Sequence, residues 1–309
     1  MPTPQLSIII PTHNRPQLLL RAVRSAIAQT LDDIEIIVVD DGSTPPVELP
    51  DYPQVKIVRL APNRGGSAAR NVGARAATAR WITYLDDDDE LLPQMAAVSL
   101  AALASADLPG PVGVLSGLAE VNPQGQIVKT HLPPTLAKGK HFCLEPISPQ
   151  QSFASKQTLV VERSVLLSIG GFDESFASRV HTELFLRLNP VCSLLGLSTV
   201  TYRLSVHDGP RVSGSLARRQ QSFAQLQQKH RAVFAAAPPR SVSDFIFNHA
   251  YMLNRNGYRR AAVRALAEAA QVAPIHVVAR LGSPLKAKWL RFVNAPRSAA
   301  QSARVLKER

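Results

Sequence analysis

The chain has 309 residues, 45% of them hydrophobic, and a mean hydropathy of −0.01. That is the profile of a soluble globular protein with room for one large domain and an appendage. With only two cysteines, Cys143 and Cys192, a disulfide framework and a cysteine-built metal site are excluded, and a reducing, cytoplasmic setting is expected. The formal net charge of +12 is unevenly placed: residues 1–210 hold 17 Lys and Arg against 20 acids, and residues 211–309 hold 18 against 3. A near-neutral domain over 1–215 and a basic helical region over 216–309, facing a polyanion, are therefore expected. Met1-Pro-Thr-Pro-Gln5 lacks the basic start of a signal peptide, and no run of about 18 uncharged apolar residues marks a membrane span.

In chain order, Leu6-Ser-Ile-Ile-Ile10 reads as a buried strand broken by Pro11-Thr-His-Asn14. Asn14 is placed to cap a helix whose stripe is Leu18, Leu19, Val23 and Ile27. Ile34-Glu-Ile-Ile-Val-Val39 is a second strand ending in Asp40-Asp41-Gly42-Ser43, and Val55-Lys-Ile-Val-Arg-Leu60 is a third. An Ala-rich helix over 67–79 leads into a fourth strand, Trp81-Ile-Thr-Tyr-Leu85, and then Asp86-Asp87-Asp88-Asp89. Strands alternating with helices predict a mostly parallel α/β sheet flanked by helices. A helix over 91–104, a strand from Val112, a hairpin turning at Asn122-Pro-Gln-Gly125, and a Pro- and Lys-rich loop over 132–150 follow. Then come a strand at 158–162, a short helix closed by Gly170-Gly171, a helix over 181–188 and a last strand at 200–204. Beyond residue 215 the pattern is helical, with Ser241 and Asp244 spaced as a capping box and Asn256-Gly257 ending that helix.

The four consecutive aspartates carry the most information. Like charges this close repel unless cations or solvent absorb them. At the C-terminal end of a parallel strand, where open α/β sheets bind ligands, they point to a divalent cation shared with a diphosphate. The bland reading is a solvated acidic loop before a helix. Pro11 to Asn14 and Asp40-Asp41 fall on the same predicted rim, because right-handed crossovers bring those strand ends together.

Five stretches together resemble the family-2 glycosyltransferases of the GT-A fold. They are Ser7-Ile-Ile-Ile-Pro-Thr-His-Asn14, Ile37-Val-Val-Asp-Asp-Gly-Ser43, Gly65-Gly-Ser-Ala-Ala-Arg-Asn-Val-Gly73, Tyr84-Leu-Asp-Asp-Asp-Asp89 and Gly170-Gly-Phe-Asp-Glu174. The resemblance covers about residues 5–210 and implies inverting transfer of a sugar from a nucleotide diphosphate sugar to an acceptor hydroxyl. It assigns the base and ribose to Pro11, His13, Asp40 and Asp41. A UDP- or dTDP-type donor is favoured, since a carboxylate can accept the N3–H of uracil or thymine. Arg70 is placed near the diphosphate, Asp86 and Asp88 on Mg2+ or Mn2+, Asp87 toward the ribose, and Asp89 in the scaffold. His207 matches a further metal or diphosphate ligand found in some GT-A enzymes.

One departure matters. Counting back from Glu183-Leu-Phe-Leu-Arg187 puts Val180-His181 where the family carries Glu-Asp, whose Asp is the general base. His181 is then itself the catalytic base, or Glu183 or Glu174 supplies the carboxylate, or the site binds donor without transferring it. The basic region, with Trp289 and Phe292 among its cations, suits an anionic membrane surface on the inner face of the plasma membrane. A glycan or lipid-linked acceptor fits that setting, and no nucleic-acid recognition motif appears. A sugar nucleotidyltransferase would need a Gly-rich basic phosphate loop after the first strand, which Pro11-Thr-His-Asn14 is not.

Overall fold

A computed structural model describes residues 3–206 and 216–282. His207, Arg211 and the 283–309 segment with Trp289 and Phe292 lie outside the described residues. The chain forms two compact units, Met1–Arg231 and Ala232–Arg309.

The first unit is a nine-stranded mixed sheet flanked by helices. In chain order its strands are β1 (Leu6–Thr12), β2 (Ile34–Asp41), β3 (Val55–Leu60), β4 (Trp81–Tyr84), β5 (Glu90–Leu91), β6 (Val112–Val121), β7 (Ile127–His131), β8 (Val160–Glu162) and β9 (Ser193–Ser205). The spatial order is β3-β2-β1-β4-β8-β6-β9-β5, with β7 paired to β6. Strands β1 to β4 are mutually parallel, with Thr12 opposite Asp40 and Leu6 opposite Trp81. Successive side chains in a strand face opposite sides. Ile8, Ile10, Ile36 and Val38 therefore pack one face, while Ile9, Ile37 and Val39 pack the other.

Helix α1 (Pro16–Ile27) buries Leu19, Ala22, Val23 and Ala26, a stripe at helical spacing. Pro16 suits its first turn, where an N–H is not needed. Asn14 does not cap it. Its φ is 55°, and its Oδ1 accepts the Thr44 N–H at 2.8 Å, so it ties the turn after β1 to the loop after β2. Helix α2 (Gly66–Ala76) lies close on the opposite face: a Cβ on Gly73 would stand 2.3 Å from Ile9 Cγ2.

The helix expected from residue 91 begins later, as α3 (Met95–Ala104). Leu92 N–H instead donates to Thr201 O at 2.8 Å, which continues the β5–β9 pairing, and Pro93 follows. The 132–150 segment, expected as a loop, also contributes to the core: Phe142 is fully buried, its ring centroid 4.5 Å from that of Phe185. The remaining helices of this unit are α4 (Arg163–Ser168), α5 (Val180–Leu188) and α6 (Leu216–Lys229). The sequence reading placed α6 with the appendage. It groups with the sheet because Lys229 and the following His230 close on buried Glu183 of α5.

After α7 (Arg231–Ala236), the second unit contains α8 (Pro239–Arg255), α9 (Arg259–Val272) and α10 (Pro274–Gly282). Helix α8 starts at Pro239, so Ser241 and Asp244 lie inside it and form no capping box. Small residues Ala262, Ala265 and Ala269 let α9 sit close, and Ser243 Oγ donates to Ala269 O at 2.9 Å. No helix among the described residues is long and apolar enough to cross a membrane.

Candidate active site

The connections reverse direction around β1. Strands β2 and β3 lie to one side of it and β4 to the other. The crevice beyond the C-terminal ends of β1 and β4 is thus a switch point, the usual ligand position in such sheets. The aspartate run closes this crevice. Thr12 Oγ donates to Asp87 at 2.8 Å, and Arg15 Nη1 reaches Asp87 and Asp88 at 3.1 Å each.

The four aspartates have different surroundings. Asp86 pairs with Arg70 of α2. Burial pushes the Asp86 carboxyl up, but Arg70 and its other cationic neighbours outweigh it and leave the group lowered. Asp87 is raised by burial, against the Thr12 bond and the Arg15 charge. Asp89 accepts from Tyr202 OH at 2.8 Å and Ser205 N–H at 2.9 Å. Burial and the charges of Asp86 and Asp88 push Asp89 up to about 8.

Carboxylate oxygens of Asp86, Asp88 and Asp89 lie within 4.8 Å of one another. Three hard oxygen donors, one of which keeps a proton through burial and its neighbours' charges, fit a divalent cation of the Mg2+ or Mn2+ kind. The expected set was Asp86, Asp88 and His207, with Asp89 in the scaffold. Asp89 belongs to the cluster as well as to the scaffold, because its carboxylate lies within 4.8 Å of those of Asp86 and Asp88 while also holding Tyr202 and Ser205.

The rim after β2 is built by Asp40 and Asp41, which are 1% and 3% exposed. Asp40 accepts the Ser43 and Val47 N–H groups and pairs with Arg59 at 2.9 Å. These bonds overcome burial and hold its carboxyl below the usual range. Asp41 accepts the Arg64 and Gly65 N–H groups at 2.8 and 2.7 Å. Both side chains brace loops in this state. Pro11 is buried in β1, while His13 is exposed and its Nδ1 meets Asp41 O at 2.9 Å.

His181 stands in the first turn of α5, edge-on to Phe172 at 5.3 Å between ring centroids. Burial, then Arg70, push its imidazole down to about 3, against the pull of Asp86, so the ring is neutral at pH 7. Arg70, Asp86 and His181 are therefore brought together. Arg70 Nε and Tyr84 OH, both buried here, have no hydrogen-bond partner among the described residues. Such groups usually signal a bound molecule or water.

The other two candidate carboxylates are committed elsewhere. Glu183 is fully buried and receives Arg187, Lys229 and His230. Glu174 pairs with Arg64 at 3.0 Å and accepts from Asn71 Nδ2 at 3.0 Å.

Sequence reasoning missed Arg15, Tyr202 and Asn71. Asn71 pins the Gly-Gly-Phe-Asp-Glu turn: it donates to Phe172 O and accepts from Phe172 N–H, both at 2.8 Å. Gly171 has φ 67°, and a Cβ there would stand 2.4 Å from Asn71 Oδ1. An Arg-Asn pair in an otherwise small-residue helix was the available signal.

Residues 7–115, which hold the first four motifs, match the model described as Glycosyl transferase family 2. This segment belongs to glycosyl transferase family 2. The chain is 40% identical over 95 residues to the succinoglycan biosynthesis protein ExoO of Rhizobium meliloti, covering 29% of this chain and 27% of that one. It is 38% identical over 104 residues to the putative colanic acid biosynthesis glycosyl transferase WcaA of Escherichia coli, covering 32% and 37%. The matched stretches thus span about a quarter to over a third of those relatives' lengths. Among solved structures, S. aureus TarS 1–349 in complex with UDP-GlcNAc superposes with a TM-score of 0.62 at 17% identity, over 89% of this chain and 83% of that one. That likeness shows the GT-A fold.

Proposed function

We propose that this protein is a metal-dependent inverting glycosyltransferase, moving a sugar from a UDP- or dTDP-sugar to an acceptor hydroxyl in polysaccharide or glycoconjugate assembly. The observation that carries the reading is the convergence of Arg70, His181 and the Asp86, Asp88, Asp89 cluster at the switch-point crevice. The matches to exopolysaccharide proteins support it.

In this reading the base and ribose lie along Pro11, His13 and the loops that Asp40 and Asp41 hold, with Asp87 toward the ribose. Arg70 takes the diphosphate. Asp86 and Asp88, with Asp89, would hold Mg2+ or Mn2+, which when bound stabilises charge on the leaving diphosphate. His207 is a further ligand in the proposal. His181 accepts the acceptor's proton. A diphosphate against Arg70 offsets the positive field that depresses the imidazole, so donor binding raises its proton affinity. The acceptor is a glycan or lipid-linked hydroxyl, with the basic C-terminal region on the anionic inner face of the plasma membrane.

The depressed histidine where the family has aspartate favours a second reading, a donor-binding protein without transfer. UDP-sugar turnover with Mn2+ separates the two. The first reading expects turnover by the wild type, a loss of roughly 10²-fold or more in His181→Ala, and recovery in His181→Asp. Calorimetric UDP binding without turnover by any of the three would establish the second.

A further inference from the structure

Helix α10 has its polarity reversed. Its polar residues turn toward α8: His276 Nε2 meets Asp244 Oδ1 at 2.8 Å, and Arg280 pairs with the same carboxylate. The Arg280 guanidinium also lies 4.1 Å from the centroid of the Phe247 ring. Its aliphatic residues point outward. Ile275 is 85% exposed and Val278 70%, one turn apart, while only Val277 is buried. A helix on a water-facing surface ordinarily does the opposite. On α9 the exposed side carries Arg260, Val263 and Arg264, with Val263 58% exposed, and Tyr258 is 49% exposed at its start.

We infer that the outer faces of α9 and α10 form a membrane-docking surface for an anionic bilayer. Ile275, Val278 and Val263 enter the acyl boundary, Tyr258 sits at headgroup level, and the arginines meet lipid phosphate. The inference deepens the membrane part of the proposed function. It places the contact on particular faces of α9 and α10, where the sequence offered the basic 216–309 region as a whole.

Charge selects the occupant. Residues 232–282 hold six arginines and no lysine against Asp244 and Glu268, and the remaining 27 residues add seven cations against one acid. Three aliphatic side chains and one tyrosine are too few for the packed core of a stable protein interface. A bilayer requires no shape match, and it rewards apolar side chains beside cations.

The test is co-sedimentation of the full chain with phosphatidylcholine vesicles carrying phosphatidylglycerol. The wild type should bind, and binding should weaken with added salt. Ile275→Ser with Val278→Ser should bind at least about tenfold more weakly. Arg260→Gln with Arg264→Gln should bind more weakly and lose part of the salt dependence. Exposures of this size make unfolding of these variants an unconcerning route to the result, and an unchanged circular dichroism melt confirms it. Equal binding by the serine variant, or no wild-type binding, overturns the inference. UDP binding by the same samples reports separately on the catalytic reading, which either vesicle result leaves standing.

Discussion

Replacing Glu183 by Gln tests whether this carboxylate is a clamp or a catalytic group. Its oxygens accept from Arg187 at 2.7 and 2.6 Å, from Lys229 at 2.7 Å, and meet His230 at 3.2 Å. Charge-assisted hydrogen bonds contribute about 1.5–3 kcal/mol each. Arg187 and Lys229 side chains are 21% and 36% exposed, however, and so regain water when the carboxylate is lost. The expected loss is therefore about 3 kcal/mol, the low end for breaking a buried pair. For a unit of this size that lowers the calorimetric midpoint by about 6–12 °C.

The pH dependence follows from the lowered carboxyl. Burial raises Glu183, and the hydrogen bonds from His230, Arg187 and Lys229, with the Arg187 charge, more than reverse this. A depressed folded-state value gives stability that is full above the unfolded value of about 4.3 and is lost as pH falls toward the folded one. The wild-type advantage over Glu183→Gln should hold from pH 7 to about 5 and shrink progressively below about pH 4. Differential scanning calorimetry across that range checks both statements. A loss under about 1 kcal/mol at pH 7, or a gap that does not narrow in acid, refutes the clamp.

Asn71→Ala strands the Phe172 N–H and C=O and should cost about 2–4 kcal/mol, read as a lower urea midpoint; a cost near zero would mean the turn holds itself. Asp88→Asn should weaken Mn2+ binding at least about tenfold by calorimetry, and unchanged affinity would remove Asp88 from the cation site. Asp89 at about 8 carries its proton at pH 7, so Mn2+ uptake should release protons there and tighten as pH rises to about 8. Equal titration heats in buffers of different ionisation enthalpy would rule that out.

The parallel half of the sheet was legible because β1, β2 and β4 are mostly buried apolar runs, β1 broken at Pro11 and β2 and β4 running into aspartates. The hairpin turn at Asn122 to Gly125 was legible from its turn residues, and Gly125 takes φ 79°. The first residues of β9 were not, because Ser193 to Gly196 carry no strand signature; their pairing to β6 decides them. The start of α8 was set by Pro239, whose ring outweighed the spacing of Ser241 and Asp244. At the site, the sequence placed the aspartate run correctly on the strand end. It divided the four aspartates only through the family resemblance and left Asp89 out of the cluster, since their partners Arg15, Arg70 and Tyr202 come from three distant segments.

The Asn71–Phe172 tie joins residues 101 positions apart. Closing a loop of that length carries an entropic cost that only surrounding contacts can offset. Those contacts include α2 against β1 and the antiparallel pairing of β8 with β4. Long-range closures of this kind make folding slow. A nascent chain can make this tie only after residue 172 has been synthesised, well after the first four motifs.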